Sequence, residues 1–96
     1  MARGGWVYIM TNRPNGMLYT GVTALLAPRV NAHKEDRGSA FCRRYGLKML
    51  AYAEQHEDIV GAIEREKAIK AWKREWKIEL IESINPDWRD LYDDLA

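Results

Sequence analysis

The sequence has a single cysteine, Cys42, so no disulfide can form within the chain and nothing in it requires an oxidising compartment. We expect Cys42 to be a small, partly buried residue without thiol chemistry. No apolar run is long enough to span a membrane, and residues 1–5 lack the apolar core of a signal peptide. These absences predict a cytoplasmic protein with no membrane partner.

Motifs of several common enzyme classes are also missing from the sequence. It has no zinc-ligand spacing, no glycine-rich phosphate-binding loop and no Ser-His-Asp order. The composition, 47% hydrophobic and 30% charged, is that of an ordinary soluble protein. A length of 96 residues allows one modest hydrophobic core, so we expect a single domain over residues 1–96.

The net charge of +1 is too small by itself to indicate a nucleic-acid partner. The charge is unevenly distributed, however. Up to Lys77, Lys and Arg outnumber Asp and Glu by 14 to 8, whereas from Ile78 onward one Arg stands against six acidic residues. A basic body with an acidic tail can present a face that attracts phosphate. The same charges could also do no more than solvate the surface, and composition does not choose between these readings.

A β-hairpin is predicted over residues 6–22. Strand-forming residues flank the turn residues of segment 12–16, which include an Asn-Gly pair that tolerates positive φ. The first strand carries Tyr8 and the second Tyr19, and Gly21 in the second strand indicates a close backbone approach. A four-residue loop would place the two tyrosines on the same face of the hairpin, and a three- or five-residue loop would place them on opposite faces.

The remaining elements follow from hydrophobic periodicity and capping residues. Heptad spacing also predicts that Trp76, with Trp72 beside it, belongs to the core, although both rings could in principle stack on bases. The order ββαβαα indicates a small three-stranded antiparallel sheet flanked by helices, an α+β fold. The predicted segments are a helix over Leu25–Glu35 with Thr23 as its N-cap, a basic loop over 36–46 and a third strand over 47–55. Two abutting helices follow from Ile59 to Ile84; they start after the N-cap Asp58, divide near Trp76 and end at Asn85-Pro86. A terminal helix is predicted over Trp88–Leu95.

The hairpin resembles the paired motif of the GIY-YIG nuclease superfamily, because Val7-Tyr8 and Tyr19-Thr20-Gly21 are joined by a short turn. The resemblance is greatest to small stand-alone bacterial members related to the N-terminal nuclease domain of the excision-repair protein UvrC. Trp6 stands where the family name has glycine, and Thr20 where it has isoleucine. Neither departure removes a group expected to do chemistry. The resemblance implies a metal-dependent phosphodiester hydrolase, an endonuclease or structure-specific nuclease acting on DNA.

Glu66 projects into an apolar arc of the helix that begins at Ile59. A lone carboxylate there is costly unless it is paired or binds a metal, and an ion pair with Arg65 or Lys73 would be sufficient. In the resemblance, Glu66 falls at the position of the family's metal-binding glutamate. The implied cofactor is Mg²⁺ (or Mn²⁺), because Mg²⁺ keeps several waters and completes its shell with substrate phosphate.

Arg29 and His33 stand four residues apart and hence on one face of the first helix. They match the family's Arg-x-x-x-His arrangement after the second tyrosine, which implies catalytic roles. The guanidinium of Arg29 can bind two phosphate oxygens, and His33 can accept a proton from a tyrosine or a water. Without the resemblance they would be a solvated arginine and a capping histidine. Tyr8 or Tyr19, with a phenol pKa of ~10, needs a nearby cation or His33 to act as a base.

A basic surface is predicted to bind the phosphate backbone of nucleic acid without reading its sequence. So small a domain leaves no room for a targeting module, so any sequence specificity would come from a protein partner. Asn85 could match an asparagine that the family carries after its glutamate, although helix termination before Pro86 also explains it. The alternative function is a non-catalytic nucleic-acid-binding or interaction module that retains the fold. The predicted backbone contacts are Arg43, Arg44, Tyr45, Lys67, Lys70, Lys73, Arg74 and Lys77.

Overall fold

An antiparallel sheet of three strands organises the protein, whose computed structural model describes residues 4–95. The strands are β1 (Gly5–Thr11), β2 (Leu18–Thr23) and β3 (Met49–His56), and their order in the sheet is β2-β1-β3. The hairpin partner β2 is therefore an edge strand, and β1 lies in the centre. The predicted α+β fold is confirmed.

Helices cover both faces of this sheet, because alternate residues of the central strand are buried on opposite sides. Tyr8 and Met10 of β1 pack against the first two helices, whereas Val7 and Ile9 pack against the next two. The result is a three-layer arrangement. No helix within residues 4–95 is both long and apolar enough to cross a membrane. The helices are α1 (Leu26–Lys34), α2 (Ala40–Tyr45), α3 (Ile59–Lys70), α4 (Arg74–Ile84) and a C-terminal 3₁₀ helix (Leu91–Leu95).

A β-bulge ties the C-terminal segment to the sheet. The ladder between β1 and β3 skips one residue after Ile9 and leaves Ala51 without a strand partner. The side-chain amide of Asn85 donates to the Ala51 carbonyl at 3.0 Å, and the carboxylate of Asp90 accepts the N–H of Leu50 at 3.0 Å. Side chains that follow α4 thus satisfy the Ala51 carbonyl and the Leu50 N–H beside the bulge.

The first helix begins and ends one residue inside the predicted range, and its predicted cap is wrong. Leu25 occupies the N-cap position and makes no side-chain cap bond. The Thr23 hydroxyl instead accepts the Leu25 N–H at 3.1 Å, which closes the turn before the helix. A hydroxyl two residues upstream of the cap position can stabilise that turn but cannot reach the free N–H groups of the first helical turn.

Residues 36–46, predicted as a loop, contain the short helix α2. The Ser39 hydroxyl caps it by accepting the Cys42 N–H at 3.0 Å, and Gly46 ends it in the left-handed conformation with φ of 67°. Cys42 is fully buried rather than partly buried and anchors α2 to the core. The basic composition of the segment concealed both cap signals, so the loop prediction was wrong.

The C-terminal third also departs from the prediction. Two abutting helices are present, but the helical conformation is interrupted at residues 71–73, before Trp76. Trp76 therefore leaves the heptad phase of α3 and is 48% exposed instead of belonging to the core. The terminal helix does not start at Trp88, because that residue has a left-handed backbone with φ of 55°. Asn85 does end α4, as predicted.

Candidate active site

The two hairpin tyrosines lie on the same face of the sheet. Residues 12–17 form a six-residue connection, and the register pairs Tyr8 with Gly21 and Met10 with Tyr19. Because directly paired residues share a face, the Tyr8 and Tyr19 rings come together with centroids 6.4 Å apart. The connection is longer than four residues but has the same parity, and this leaves both phenols on one side.

Gly21 allows the phenol of Tyr8 to cross the edge strand. A Cβ at position 21 would lie 2.6 Å from both Cζ and Oη of Tyr8, well inside van der Waals contact. The ring therefore extends from the central strand over the backbone of β2, towards the open edge of the sheet. This is the close approach that the glycine in the strand predicted, and it leaves room for the Tyr8 ring to extend across β2.

His33 forms a hydrogen bond with that hydroxyl. Oη of Tyr8 lies 2.9 Å from Nε2 of His33, in a buried hydrogen bond between β1 and α1. The other ring nitrogen, Nδ1, is buried without a hydrogen-bond partner within residues 4–95. Gly38 covers it closely, since a Cβ at Gly38 would lie 2.1 Å from Nδ1. The imidazole is thus held between the tyrosine and the loop that precedes α2.

Burial and neighbouring charges set the protonation states of this pair. Burial raises the pKa of Tyr8 far above its usual value and the nearby Tyr19 adds to this, whereas the Arg29 charge opposes it. Burial, followed by the Arg29 charge, lowers the pKa of His33 below its usual value. At neutral pH the phenol is therefore protonated and the imidazole neutral. We assign the Tyr8 O–H as donor and Nε2 of His33 as acceptor.

Glu66 lies on α3, which packs against the opposite face of the sheet from α1. Its side chain is buried, as the helical projection predicted, and its charge acts on Tyr8 by raising the pKa of that phenol. An ion pair with Lys70 at 2.9 Å, one turn further along α3, partly compensates the carboxylate. The partner is neither Arg65 nor Lys73, the two cations that the projection suggested.

An open cleft of about 550 Å³ lies between β2, α1 and α3, and its lining includes none of Tyr8, His33 and Glu66. Arg29 is exposed and lines this cleft, together with apolar side chains that include Leu25 and Ile63. The candidate site therefore combines the buried Tyr8–His33 hydrogen bond with an exposed guanidinium that lines the neighbouring cleft.

The carboxylate set suits one kind of metal ion. Within residues 4–95 no group of three or more His, Cys, Asp or Glu side chains is arranged to hold an ion. A closed zinc site, which needs four such ligands, does not fit this set. Glu66 alone fits an Mg²⁺-type ion, which takes one or two carboxylates and fills its remaining positions with water and phosphate. The side chain of Lys70, which pairs with Glu66, is half exposed to solvent.

Other predicted site residues lie elsewhere or have structural partners. Asn85 is buried at the β-bulge, where its amide donates to Ala51 and Arg89 carbonyls and its oxygen accepts the Arg89 N–H. Arg74 donates to the carbonyls of the hairpin turn at residues 15 and 16. Most of the other residues predicted to contact the phosphate backbone of nucleic acid are exposed, namely Arg43, Arg44, Tyr45, Lys67 and Lys73. Lys77 is half-buried.

Two residues of this region were missed by sequence reasoning. Gly38 lies within the loop predicted over 36–46, and its lack of a side chain leaves space for the His33 ring. Phe41, the one phenylalanine in the chain, stacks on Tyr19 with centroids 6.2 Å apart. Its position four residues before Tyr45, in a basic segment, is the signal that could have identified it.

Comparisons with known proteins show the family to which the chain belongs. The sequence model of the GIY-YIG catalytic domain family matches residues 4–79. A UPF0213 protein of Clostridium perfringens is 37% identical over 78 residues, which cover 81% of this chain and 83% of that protein. A UPF0213 protein of Staphylococcus haemolyticus is 31% identical and is covered over 93% of its length, against 80% of this chain. One from Desulfotalea psychrophila is 30% identical, with 94% of this chain and 83% of that protein covered. No solved structure matches the chain.

Proposed function

The chain belongs to the GIY-YIG family, and from that membership we propose that it is a metal-dependent nuclease that hydrolyses phosphodiester bonds in DNA. The observation that carries the proposal is the buried Tyr8–His33 hydrogen bond, on which the charges of Arg29 and Glu66 both act. A proton acceptor, a phosphate-binding cation and a carboxylate for a metal are the groups that this hydrolysis needs.

The Tyr8–His33 pair is proposed to remove the proton of the attacking water. Tyr8 is protonated at neutral pH and cannot begin as a phenolate base. It can accept a proton from water only as it releases its own to the neutral imidazole of His33. The water oxygen then forms the new bond to phosphorus, the bond to the sugar oxygen breaks, and the leaving oxygen takes a proton from solvent. Tyr19, half-buried beside Tyr8, is proposed to position the substrate and the water.

Arg29 and Glu66 are assigned to the charge that develops on phosphate. The exposed guanidinium would bind the non-bridging oxygens as they become more negative. Glu66 would hold Mg²⁺ or Mn²⁺, which when bound stabilises the leaving oxygen. In the absence of the ion, Lys70 compensates the carboxylate.

A cleavage assay with matched variants tests this proposal. Purified protein is incubated with single-stranded, branched and duplex DNA, with Mg²⁺ or with EDTA. We expect cleavage only with the metal, and a loss of about 100-fold or more in Glu66→Gln and in Arg29→Ala. Glu64→Gln is the control, because Glu64 is an exposed carboxylate on the same helix and should leave the rate unchanged.

Two outcomes would count against the proposed nuclease. Cleavage that survives both Glu66→Gln and Arg29→Ala would come from a contaminant or from another site. Salt-sensitive DNA binding without any cleavage would instead favour the non-catalytic nucleic-acid-binding module.

A further inference from the structure

A strip of three aromatic rings leads outward from the candidate active site along α2. Tyr19 stacks on Phe41 with centroids 6.2 Å apart and planes 26° apart, and Phe41 contacts Tyr45 with centroids 4.9 Å apart. The ring centroid of Tyr19 is also 6.4 Å from that of Tyr8. The strip is therefore continuous with the hydrogen-bonded pair Tyr8 and His33.

The outer two rings of this strip are exposed for no reason that the fold explains. Phe41 and Tyr45 are 39% and 40% exposed, whereas Cys42 on the other side of α2 is fully buried. Residues four apart share one face of a helix, so this short helix buries a cysteine and presents two aromatic rings to solvent. Adjacent exposed aromatic residues beside a candidate active site indicate a contact surface.

Positive charge borders the strip. The Arg44 guanidinium lies 5.4 Å from the centre of the Tyr45 ring, and Arg43 is exposed next to it. On the other side, a small cleft is lined by Tyr19, Phe41, Lys70 and Lys77, and no acidic residue of the described range 4–95 lines it. Exposed rings flanked by cations are the arrangement with which proteins bind single-stranded nucleic acid, where bases stack on the rings and cations follow the phosphates.

We infer that Phe41 and Tyr45 stack unpaired DNA bases next to the scissile phosphate. The substrate would then be single-stranded DNA or DNA with an unpaired segment at the cleavage point. This inference rests on the proposed function, because it places the strip beside the group to be cleaved. Bases within a duplex are already stacked on each other, so their faces are not available to the rings. The strip thus distinguishes an unpaired strand from a duplex without reading its sequence.

Binding without metal tests the strip separately from catalysis. The affinities for a fluorescently labelled single strand and for the matching duplex are measured by anisotropy in EDTA. Phe41→Ala is expected to weaken single-strand binding by about fivefold or more and to change duplex binding little. Phe41→Leu keeps the apolar volume against Tyr19 but has no flat face, so it should behave like Phe41→Ala. Phe41→Tyr should restore binding.

Two further variants separate stacking from charge and from general exposure. Trp76→Ala removes an exposed aromatic ring that lines a different cleft, beside Trp72, and should leave binding unchanged. Arg44→Ala should weaken single-strand and duplex binding alike and lower the slope of log affinity against log salt by about one. The Phe41 variants should leave that slope unchanged.

The outcomes separate the strip from the nuclease proposal. Equal losses on single strand and duplex in Phe41→Leu, no loss at all, or no binding by the wild type would overturn the strip. A change of oligomeric state in Phe41→Ala with unchanged DNA binding would show instead that the rings contact a second copy of the chain. Cleavage that depends on Glu66 but not on Phe41 would sink the strip and keep the nuclease. Single-strand binding through Phe41 without cleavage would do the reverse.

Discussion

Replacing Gly21 by alanine is expected to disable the candidate active site at a modest cost in stability. The added Cβ would lie 2.6 Å from Cζ and Oη of Tyr8, whereas carbon atoms in ordinary contact are about 3.5 Å apart. The phenol must therefore retreat by about 0.9 Å. The Tyr8–His33 distance of 2.9 Å is already in the middle of the hydrogen-bonding range, and such a shift takes it outside that range.

The two consequences of this substitution differ in size. Displacing a catalytic group by about 1 Å can lower a rate ~100-fold. Overpacking a buried site costs about 1–3 kcal/mol in the free energy of unfolding, and alanine regains about 0.4–1 kcal/mol by restricting the unfolded chain. We expect a net loss of about 1–2 kcal/mol, which leaves a folded protein at room temperature.

The assay combines cleavage of single-stranded DNA with thermal unfolding of the same samples. Gly61→Ala is the matched control, because Gly61 lies in α3 and a Cβ there would meet only Nδ1 of His56, at 3.9 Å. In a helix this change should stabilise the protein by about 0.5–1 kcal/mol and leave the rate unchanged. Wild-type activity in Gly21→Ala would refute the assignment of Tyr8, and an equal loss in Gly61→Ala would show that the assay reports general damage.

Two further predictions concern His33 and Asn85. Because the pKa of His33 is lowered in the folded state, the unfolded chain binds more protons below pH ~6.5, and His33 should lower stability as the pH falls through that value. Denaturant titrations from pH 5 to 8 should show a smaller fall in His33→Gln, and an identical fall would contradict the assignment. Asn85→Ala should cost about 2–3 kcal/mol, because the Ala51 carbonyl and the Arg89 N–H lose their partner. Cleavage at 15 °C should persist, and its complete loss in a folded protein would place Asn85 in the chemistry.

Local patterns in the sequence were sufficient for much of the fold. The hairpin follows from turn residues between strand-forming residues, the N-cap of α3 from Asp58, and the burial of Glu66 from helical spacing. These features depend on residues within a few positions of each other, whose preferences act before any tertiary contact forms. The same patterns failed at α2, because its cap residues Ser39 and Gly46 stand in a segment whose basic composition favoured a loop.

The sequence by itself determined which groups are available to the candidate site: two phenols, an imidazole, a guanidinium and a carboxylate. Only the tertiary structure decided how they meet. The six-residue connection sets a register that brings Tyr8 and Tyr19 to one face, and the bare backbone of Gly21 lets Tyr8 cross β2 to His33. Loop parity, side-chain clearance and the packing of α1 and α3 on either side of an edge strand depend on residues distant in the chain, so no local pattern encodes them.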